Sequence, residues 1–248
     1  MLAVRNKLLT KANYISSNHK LAFIMKNRLP CYLLFLVVFS ASHVVGQTTK
    51  NPCLYQNLTR KTTRESLLAR YQVLYNLQPK QTIASIGAGG GNKEILYSML
   101  ADSLVFYLQD IDSTCLTKTT LSTTIQQHYS ATNQICDDTF TTVIGTQTET
   151  NLPASFFDKV LIENTLHELS RPSAILQSIH KSWKPAGFLF VEDFIAHKPG
   201  QRHRGCKKLL YTEEALLDLL DKSGFRLVAS QAVYPNNTVD RVYKFALK

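Results

Sequence analysis

Four of the ten glycines of this chain fall within five residues, at Gly87, Gly89, Gly90 and Gly91. They follow the apolar run 82–86, which predicts a buried strand, and they precede a helical pattern that begins near Asn92. Glycine permits a sharp turn whose backbone N–H groups approach a ligand closely before the next helix begins. The spacing therefore predicts a strand–loop–helix unit that cradles a cofactor.

A carboxylate follows the glycine loop at the end of the next predicted strand. About twenty residues further on, the apolar run 103–108 predicts a second strand that ends in Gln109 and Asp110. A carboxylate at that edge of a parallel sheet can accept both hydroxyls of a ribose. Asp112 is better explained as a cap of the following helix. The loop itself has Asn92 where the dinucleotide fingerprint requires glycine, which disfavours a nicotinamide-dependent dehydrogenase.

Apolar bursts alternate with helical patterns along the rest of the chain, which favours a parallel sheet with right-handed crossovers. Pro235 and the two asparagines after it form a turn-prone link, so the last two strands are expected to pair as an antiparallel hairpin at one edge. The predicted strands are 82–86, 103–108, 141–144, 159–162, 188–191, 226–234 and 239–247, and the predicted helices are 62–77, 92–100, 113–128, 172–183 and 212–223.

In this order the motifs resemble the class I S-adenosylmethionine-dependent methyltransferases, with a methyltransferase type 11/25-like domain. The resemblance covers about residues 62–248. It rests on the glycine loop, on the strand end 110–112, and on the stretches 156–163, 166–169, 183–188 and 223–225. It implies an α/β fold: a Rossmann-like seven-stranded, mostly parallel sheet of order 3-2-1-4-5-7-6, with strand 7 antiparallel and helices on both faces.

The resemblance also implies a role for individual residues. The glycine loop would lie under the methionine part of S-adenosylmethionine, Asp110 would hold the ribose, and Ile111 would pack on the adenine. The cofactor contacts expected from it are Gly87, Ala88, Gly89, Gly91, Asp110, Ile111, Thr146, Gln147 and Glu163.

Two positions depart from the family's pattern. The family often has an acid two residues before the first glycine, where this chain has Ser85, and an acid after the third strand, where it has Thr146 and Gln147. Both losses weaken the expected contacts with the cofactor. A neutral oxygen of Thr146 or Gln147 can still bond the adenine amino group.

Methyl transfer is an in-line displacement, so orientation of the acceptor supplies much of the rate. A base helps when the acceptor is a hydroxyl or a protonated amine. His167 is the first candidate, because it follows the fourth strand closely and titrates near neutrality; the alternative is that it only bonds backbone at a helix start. Other polar residues near the ends of the fourth and fifth strands are Glu163, Asn164, Glu168, Asp193 and His197.

No metal site is predicted, since no spacing of cysteines and histidines resembles a metal-binding pair. His203, Arg204 and Cys206 lie in the long connection after the fifth predicted strand, which in the resembling family often shapes the acceptor pocket. Four cysteines, Cys53, Cys115, Cys136 and Cys206, follow the N-terminal segment, and an even number permits disulfides in an exported protein.

The N-terminal 50 residues have the order of a secretory signal. The apolar run 31–39 is preceded by Lys26 and Arg28 and followed by small residues up to Gly46. Translation from Met25 gives a leader of ordinary length, whereas a start at Met1 favours a retained anchor. The chain is therefore divided into residues 1–50 with a signal peptide or anchor, a helical cap at 51–80 and the methyltransferase-like domain at 81–248.

The charge of the chain is concentrated at its start. The first 50 residues hold seven of the 28 Lys and Arg residues and no acid, which leaves a net charge of +3 out of +10 for the rest. No nucleic-acid partner is therefore expected, and the basic residues between 202 and 208 are explained as a solvated loop. The predicted function is methyl transfer to a small-molecule acceptor by an exported protein, with the N-terminal segment as a possible membrane tether. The alternative is a non-catalytic exported binding protein on the same fold.

Overall fold

The computed structural model describes residue 53, residues 56–235 and residues 239–248. Strands in these ranges form a seven-stranded sheet in the order β3-β2-β1-β4-β5-β7-β6. The first five strands run parallel to one another, whereas β7 runs antiparallel to both β5 and β6. The predicted fold class is thereby confirmed. The strands are β1 Thr82–Ile86, β2 Val105–Asp110, β3 Thr139–Ile144, β4 Phe157–Glu163, β5 Trp183–Phe194, β6 Phe225–Ala232 and β7 Asp240–Leu247.

The centre of the sheet is buried on both faces. Four of the five residues of β1 and five of the seven residues of β4 are buried, as expected for parallel strands covered by helices on each side. Strand order reverses between β1 and β4, and in open α/β sheets a ligand binds at the carboxyl ends of the strands next to such a reversal. The fold therefore places a crevice where β1 ends in the glycine loop.

Five α-helices within the described ranges cover the sheet. Buried side chains of α4 and α5 pack in one apolar cluster, and those of α1, α2 and α3 pack in another. The helices are α1 Lys61–Tyr75, α2 Asn92–Ser98, α3 Lys118–Ser130, α4 Pro172–Ser182 and α5 Glu213–Lys222.

Helix α3 begins later than the predicted position 113, and the role predicted for Asp112 is wrong. The Asp112 carboxylate accepts the backbone N–H of Thr114 at 2.8 Å in a turn before the helix. The N-terminal cap is Thr117, whose hydroxyl accepts the backbone N–H of Thr120 at 3.0 Å. A threonine hydroxyl, like an aspartate carboxylate, can accept a backbone N–H of the first helical turn.

Helix α1 is joined to the sheet at its C-terminal end. Tyr71 and Tyr75 are buried, and the Lys159 ammonium of β4 donates to the carbonyl oxygens of Tyr75 and Asn76 at 2.6 Å each. Burial lowers the pKa of Lys159 to about 8. A buried cation on the last carbonyls of a helix compensates for hydrogen bonds that the helix end itself cannot make.

A disulfide joins Cys53 to Cys115, so the predicted capacity for disulfides is confirmed. The carbonyl oxygen of Cys53 accepts a hydrogen bond from the Asn92 side chain at 2.8 Å, next to the glycine loop. Cys136 and Cys206 are free thiols.

The predicted signal segment, its flanks and the alternative start at Met25 lie outside the described residues, as do residues 236–238 of the predicted hairpin turn. Among the helices that the structure does describe, none is long and apolar enough to cross a bilayer.

Candidate cofactor and acceptor site

The glycine loop turns sharply at the end of β1. Gly87, Gly89 and Gly91 have φ angles of 73°, 55° and 71°, a region that other residues adopt at a cost. A Cβ on Gly87 would lie 2.4 Å from two side-chain atoms of Thr165, so this position also lacks room for a larger residue. The backbone N–H of Gly87 donates to the carbonyl oxygen of Gln109 at 2.8 Å, which fixes the loop against the end of β2.

Asp110 lies directly against this loop. One carboxylate oxygen accepts the backbone N–H of Gly89 at 2.8 Å, and the other accepts the backbone N–H of Asp112 at 2.9 Å. A carboxylate offers about four lone-pair sites on its two oxygens, so capacity for a diol remains. The structure thus brings together the loop and the acid that the sequence predicted as neighbours.

Two adjoining cavities, each of about 330 Å³, open at the carboxyl ends of β1, β2 and β4. The outer cavity is lined by Asp110, Ile111, Thr146 and Gln147 among others, and the inner cavity by Ala88, Glu94 and Glu163 among others. Seven of the nine cofactor contacts expected from the sequence line one of the two cavities. The cavities share Ile86, Gly87, Thr165 and Glu168.

The outer cavity combines an apolar platform with polar groups. Ile111 is 56% exposed there, although it directly follows a buried strand. The Thr146 hydroxyl accepts the backbone N–H groups of Thr148 and Glu149 at 3.2 and 3.0 Å, and it donates to the Glu149 carbonyl oxygen at 3.5 Å. Gln109 was not predicted as a contact: its buried side-chain oxygen has no hydrogen-bond partner within the described part of the chain. An orphaned acceptor beside a cavity is a feature that a bound ligand can complete.

In the inner cavity, Glu94 supplies the acid that the sequence lacks at Ser85. The Ser85 hydroxyl donates to the Glu94 carboxylate at 2.6 Å, and both side chains are buried. Burial, assisted by the nearby charge of Glu163, raises the pKa of Glu94 to about 7. The sequence signal was weak, because Glu94 reads as an ordinary residue of the first helical turn. Its position nevertheless puts a carboxyl group beside the loop.

Glu163 also lines the inner cavity, but several donors already bond its carboxylate. Lys93 donates to it at 2.7 Å, Tyr97 donates at 3.1 Å, and the Tyr75 hydroxyl makes a short hydrogen bond to its other oxygen. The pKa of Lys93 is raised well above its usual value, because the charges of Glu163 and its neighbour Glu192 outweigh the effect of burial. Glu163 is therefore rigidly held at the cavity wall.

Glu192, at the end of β5, completes this group. The Tyr71 hydroxyl lies 2.8 and 2.7 Å from its two oxygens, and the Lys93 ammonium lies 3.6 Å from it. Burial and the charge of Glu163 raise the pKa of Glu192 to about 7. The two buried carboxylates and Lys93, with Tyr71, Tyr75 and Tyr97, are called the tyrosine–acid cluster below.

His167, the predicted base, lies in a short 3₁₀ helix after β4 with its side chain fully buried. Its Nδ1 lies 2.6 Å from the Asp193 carboxylate, which also accepts the His167 backbone N–H at 3.0 Å. Burial lowers the pKa of His167, but Asp193 more than offsets this effect and leaves the pKa raised. Its Nε2 lies 3.3 Å from the sulfur of Cys206. The alternative that its side chain only bonds backbone is wrong.

A third cavity, of about 590 Å³, lies between the loop 199–212 and α5. His167 lines it together with Leu209, Leu210 and Tyr211 among others. Lys208 lines both this loop cavity and the outer cavity. Arg202, Arg204, Lys207 and Lys208 are exposed, as expected for a solvated loop. The connection after β5 thus forms a compartment next to the two cavities at the glycine loop.

Residues 86–191 match the family model described as a methyltransferase domain. This range begins at the last residue of β1 and includes both cavities' principal walls, from Gly87 to Glu168. None of the curated proteins matches the chain.

Solved structures share the fold at low sequence identity. A SAM-dependent methyltransferase from Aquifex aeolicus is 16% identical with a TM-score of 0.55, over 76% of this chain and 94% of that chain. A SAM-dependent methyltransferase from Methanosarcina mazei is 16% identical with a TM-score of 0.55, over 71% and 98%. The Burkholderia thailandensis 1,6-didemethyltoxoflavin-N1-methyltransferase, with bound 1,6-didemethyltoxoflavin and S-adenosylhomocysteine, is 19% identical with a TM-score of 0.53, over 77% and 81%.

The matched segment, the strand order and the loop geometry agree with one another. Residues 86–191 of this chain therefore match a methyltransferase domain, and the described residues have a fold that is shared with S-adenosylmethionine-dependent methyltransferases of known structure.

Proposed function

We propose that this protein transfers a methyl group from S-adenosylmethionine to a small-molecule acceptor. The observation that carries the proposal is the pair of adjoining cavities between the glycine loop and Asp110, lined by seven of the nine expected contacts. The residues present fit the cofactor, because the outer cavity offers an exposed apolar side chain and an orphaned acceptor on Gln109. When bound, S-adenosylmethionine supplies an electrophilic methyl group on a positively charged sulfur.

The chain's own residues divide the work of binding between the two cavities. In the outer cavity Asp110 would accept the ribose hydroxyls and Ile111 would support the adenine ring. In the inner cavity Glu94 would face the amino group of the methionine part in place of an acid at Ser85. Carboxyl groups on the wall of a cleft raise the local concentration of a cationic ligand, so the inner cavity is suited to the cationic end of the cofactor.

The loop cavity is the proposed acceptor compartment. Its volume of about 590 Å³ lies within the roughly 300–1,000 Å³ typical of small-molecule sites. Leu209, Leu210 and Tyr211 provide apolar contacts that would orient an acceptor beside the cofactor cavities. Orientation is the main demand of an in-line displacement, and His167 remains the predicted base for an acceptor that must lose a proton.

Calorimetry with S-adenosylhomocysteine tests the cofactor site. Replacing Asp110 by alanine removes charge-assisted hydrogen bonds worth about 1.5–3 kcal/mol, so Kd is expected to rise roughly 10- to 100-fold. Asp218→Ala, on the exposed surface of α5 and outside both cavities, is the control and should leave Kd unchanged. A folded wild-type protein that binds no S-adenosylhomocysteine would refute the proposal.

We further propose that the protein is exported. The Cys53–Cys115 disulfide supports this location, because disulfides persist in oxidising compartments and are rare in the cytosol. Protease protection of a C-terminally tagged chain in intact cells distinguishes the two locations. Digestion of the tag is expected while the cytoplasm is still enclosed, once any outer membrane has been permeabilised, and a tag that stays protected until the cytoplasm is released contradicts export.

A further inference from the structure

Four side chains with metal-binding atoms meet beside the cofactor cavities, on two loops that are distant in the sequence. His167 and Glu168 come from the turn after β4, and His203 and Cys206 come from the loop after β5. One donor atom from each of the four lies within 4.8 Å of the others. The first pair follows β4 and the second pair follows β5, and these two strands are neighbours in the sheet. The carboxyl ends of the two strands therefore bring the four side chains together.

The separations agree with those of a tetrahedral site. With Zn–S of about 2.3 Å and Zn–N of about 2.0 Å, sulfur and nitrogen ligands lie about 3.5 Å apart, and nitrogen and oxygen ligands about 3.4 Å apart. The Cys206 sulfur lies 3.3 Å from Nε2 of His167 and 3.1 Å from Nδ1 of His203. Nε2 of His167 lies 3.8 Å from the nearer Glu168 oxygen. These three separations each differ from the tetrahedral values by no more than about 0.4 Å.

Asp193 gives independent support, since it prepares His167 as a ligand. Its carboxylate lies 2.6 Å from Nδ1 and therefore holds the proton there, which leaves a lone pair on Nε2 directed toward Cys206. Asp193 is itself fixed by the backbone N–H groups of His167 and Phe194 at 3.0 and 2.7 Å. A carboxylate behind a histidine is the usual support of a metal ligand, and it fixes both the tautomer and the ring orientation.

The two imidazole rings are both directed at the Cys206 sulfur. The backbone N–H of Cys206 lies 3.4 Å from Nδ1 of His203, which favours a lone pair on that nitrogen as well. One ring nitrogen of each histidine therefore lies within 3.3 Å of the same sulfur. A thiolate with a cation between the three groups satisfies both nitrogens.

We propose that His167, His203, Cys206 and Glu168 bind a divalent cation of the zinc class. Thiolate and imidazole ligands select zinc over magnesium, calcium and manganese, which prefer oxygen. Glu168 is the exposed member and lines both cofactor cavities, so it is the ligand most easily exchanged for an external group. This inference rests on the proposed function, because it places the cation beside the proposed acceptor compartment. In this arrangement His167 is a metal ligand and does not act as the base that the sequence predicted.

Cobalt substitution and zinc titration test the site on the full chain without an affinity tag of histidines. The wild-type protein is expected to bind one Zn²⁺ per chain in competition with a chromophoric chelator. With Co²⁺ it should show a thiolate-to-cobalt charge-transfer band and the visible absorption of a tetrahedral centre. Cys206→Ser should abolish the charge-transfer band, and Asp193→Asn should weaken zinc binding roughly 10- to 100-fold.

Cys136→Ser is the matched control, because Cys136 is the other free cysteine in the described ranges and lies outside the four-residue group. It should leave both the band and the zinc affinity unchanged. A wild-type protein without a charge-transfer band overturns the proposal, and this readout needs no variant to fold. Equal zinc affinity in the wild type and in His203→Ala also overturns it. Because S-adenosylhomocysteine binding is measured separately, failure of the metal site is distinguishable from failure of the cofactor site.

Discussion

The Glu94 side chain offers the sharpest test of the inner cavity, because one substitution should change stability and binding in opposite directions. Glu94 is only 4% exposed, and its pKa is raised from its ordinary value of 4.5 to about 7. The folded state therefore holds the proton more tightly than the unfolded state does. Stability is lost as pH rises from 4.5 through about 7, and the loss is complete above that value.

The size of this effect follows from the two pKa values. At 1.36 kcal/mol for each pKa unit between 4.5 and about 7, ionised Glu94 costs the folded state about 3 kcal/mol. Glu94→Gln keeps an oxygen that accepts the Ser85 hydroxyl but cannot ionise. The free energy of unfolding of the variant relative to wild type should therefore increase by about 3 kcal/mol between pH 4.5 and pH 8. The same variant should bind S-adenosylhomocysteine more weakly, since it has lost the charge that faces the amino group.

Urea denaturation of both proteins across this pH range measures the first effect, and calorimetry at pH 8 measures the second. Glu65→Gln is the control, because the Glu65 side chain is 59% exposed on α1 and should show no pH-dependent difference. A stability difference between Glu94→Gln and wild type that stays constant from pH 4.5 to pH 8 would show that Glu94 is not a buried, neutral acid. Unchanged binding would remove Glu94 from the cofactor site.

Two further variants test how the glycine loop and the disulfide next to it contribute to stability. Gly87→Ala should lower the free energy of unfolding by more than the roughly 1–3 kcal/mol expected for a left-handed residue alone, because its Cβ also meets Thr165. Gly200→Ala, with φ of 84° and open space around it, isolates the backbone effect, and an equal loss in both variants on chemical denaturation would argue against the contact with Thr165. Serine at both Cys53 and Cys115 should cost about 4 kcal/mol by loop-closure entropy for a separation of 62 residues. An unchanged Tm in that double variant contradicts this expectation.

The sheet could be predicted because its strands and helices are encoded locally. Central parallel strands are apolar runs without alternation, and the glycines and Pro235 mark where the chain turns. Element ends were less accurate, as at β5, which extends from Trp183 to Phe194 although only 188–191 was predicted. Pairing with β7 and β4 lengthens this strand, and a local pattern does not contain that information.

The glycine loop and the carboxylate after β2 were predicted from the sequence, whereas the buried polar groups of the two cavities were not. Gly87 and Asp110 stand in motifs whose spacing carries the chemistry, whereas Glu94 acquires its role only through burial against Ser85. Gln109 could have been noticed as a polar residue at the end of a buried strand. Its orphaned oxygen, however, depends on packing that no sequence pattern specifies.

The metal site proposed above was not expected from the sequence, for a similar reason. His203 and Cys206 are separated by two residues, so half of the proposed ligand set lies in one loop. The other half, His167 and Glu168, lies more than thirty residues earlier, and only the adjacency of β4 and β5 brings the halves together. Sequence rules identify metal sites in which two closely spaced cysteines are followed by a second close pair of cysteines or histidines. The four residues proposed here do not have that pattern.

The tyrosine–acid cluster has a consequence for any attempt to shorten this protein. Tyr71 and Tyr75 reach from α1 to the two buried glutamates, and Lys159 donates to carbonyls at the end of the same helix. Trimming the chain at residue 80 would remove the tyrosine hydroxyls that donate to the two carboxylates and the carbonyl oxygens that accept from the Lys159 ammonium. We therefore expect the smallest version that still folds to keep the helix that begins at Lys61, which is an integral part of the domain and not a detachable cover.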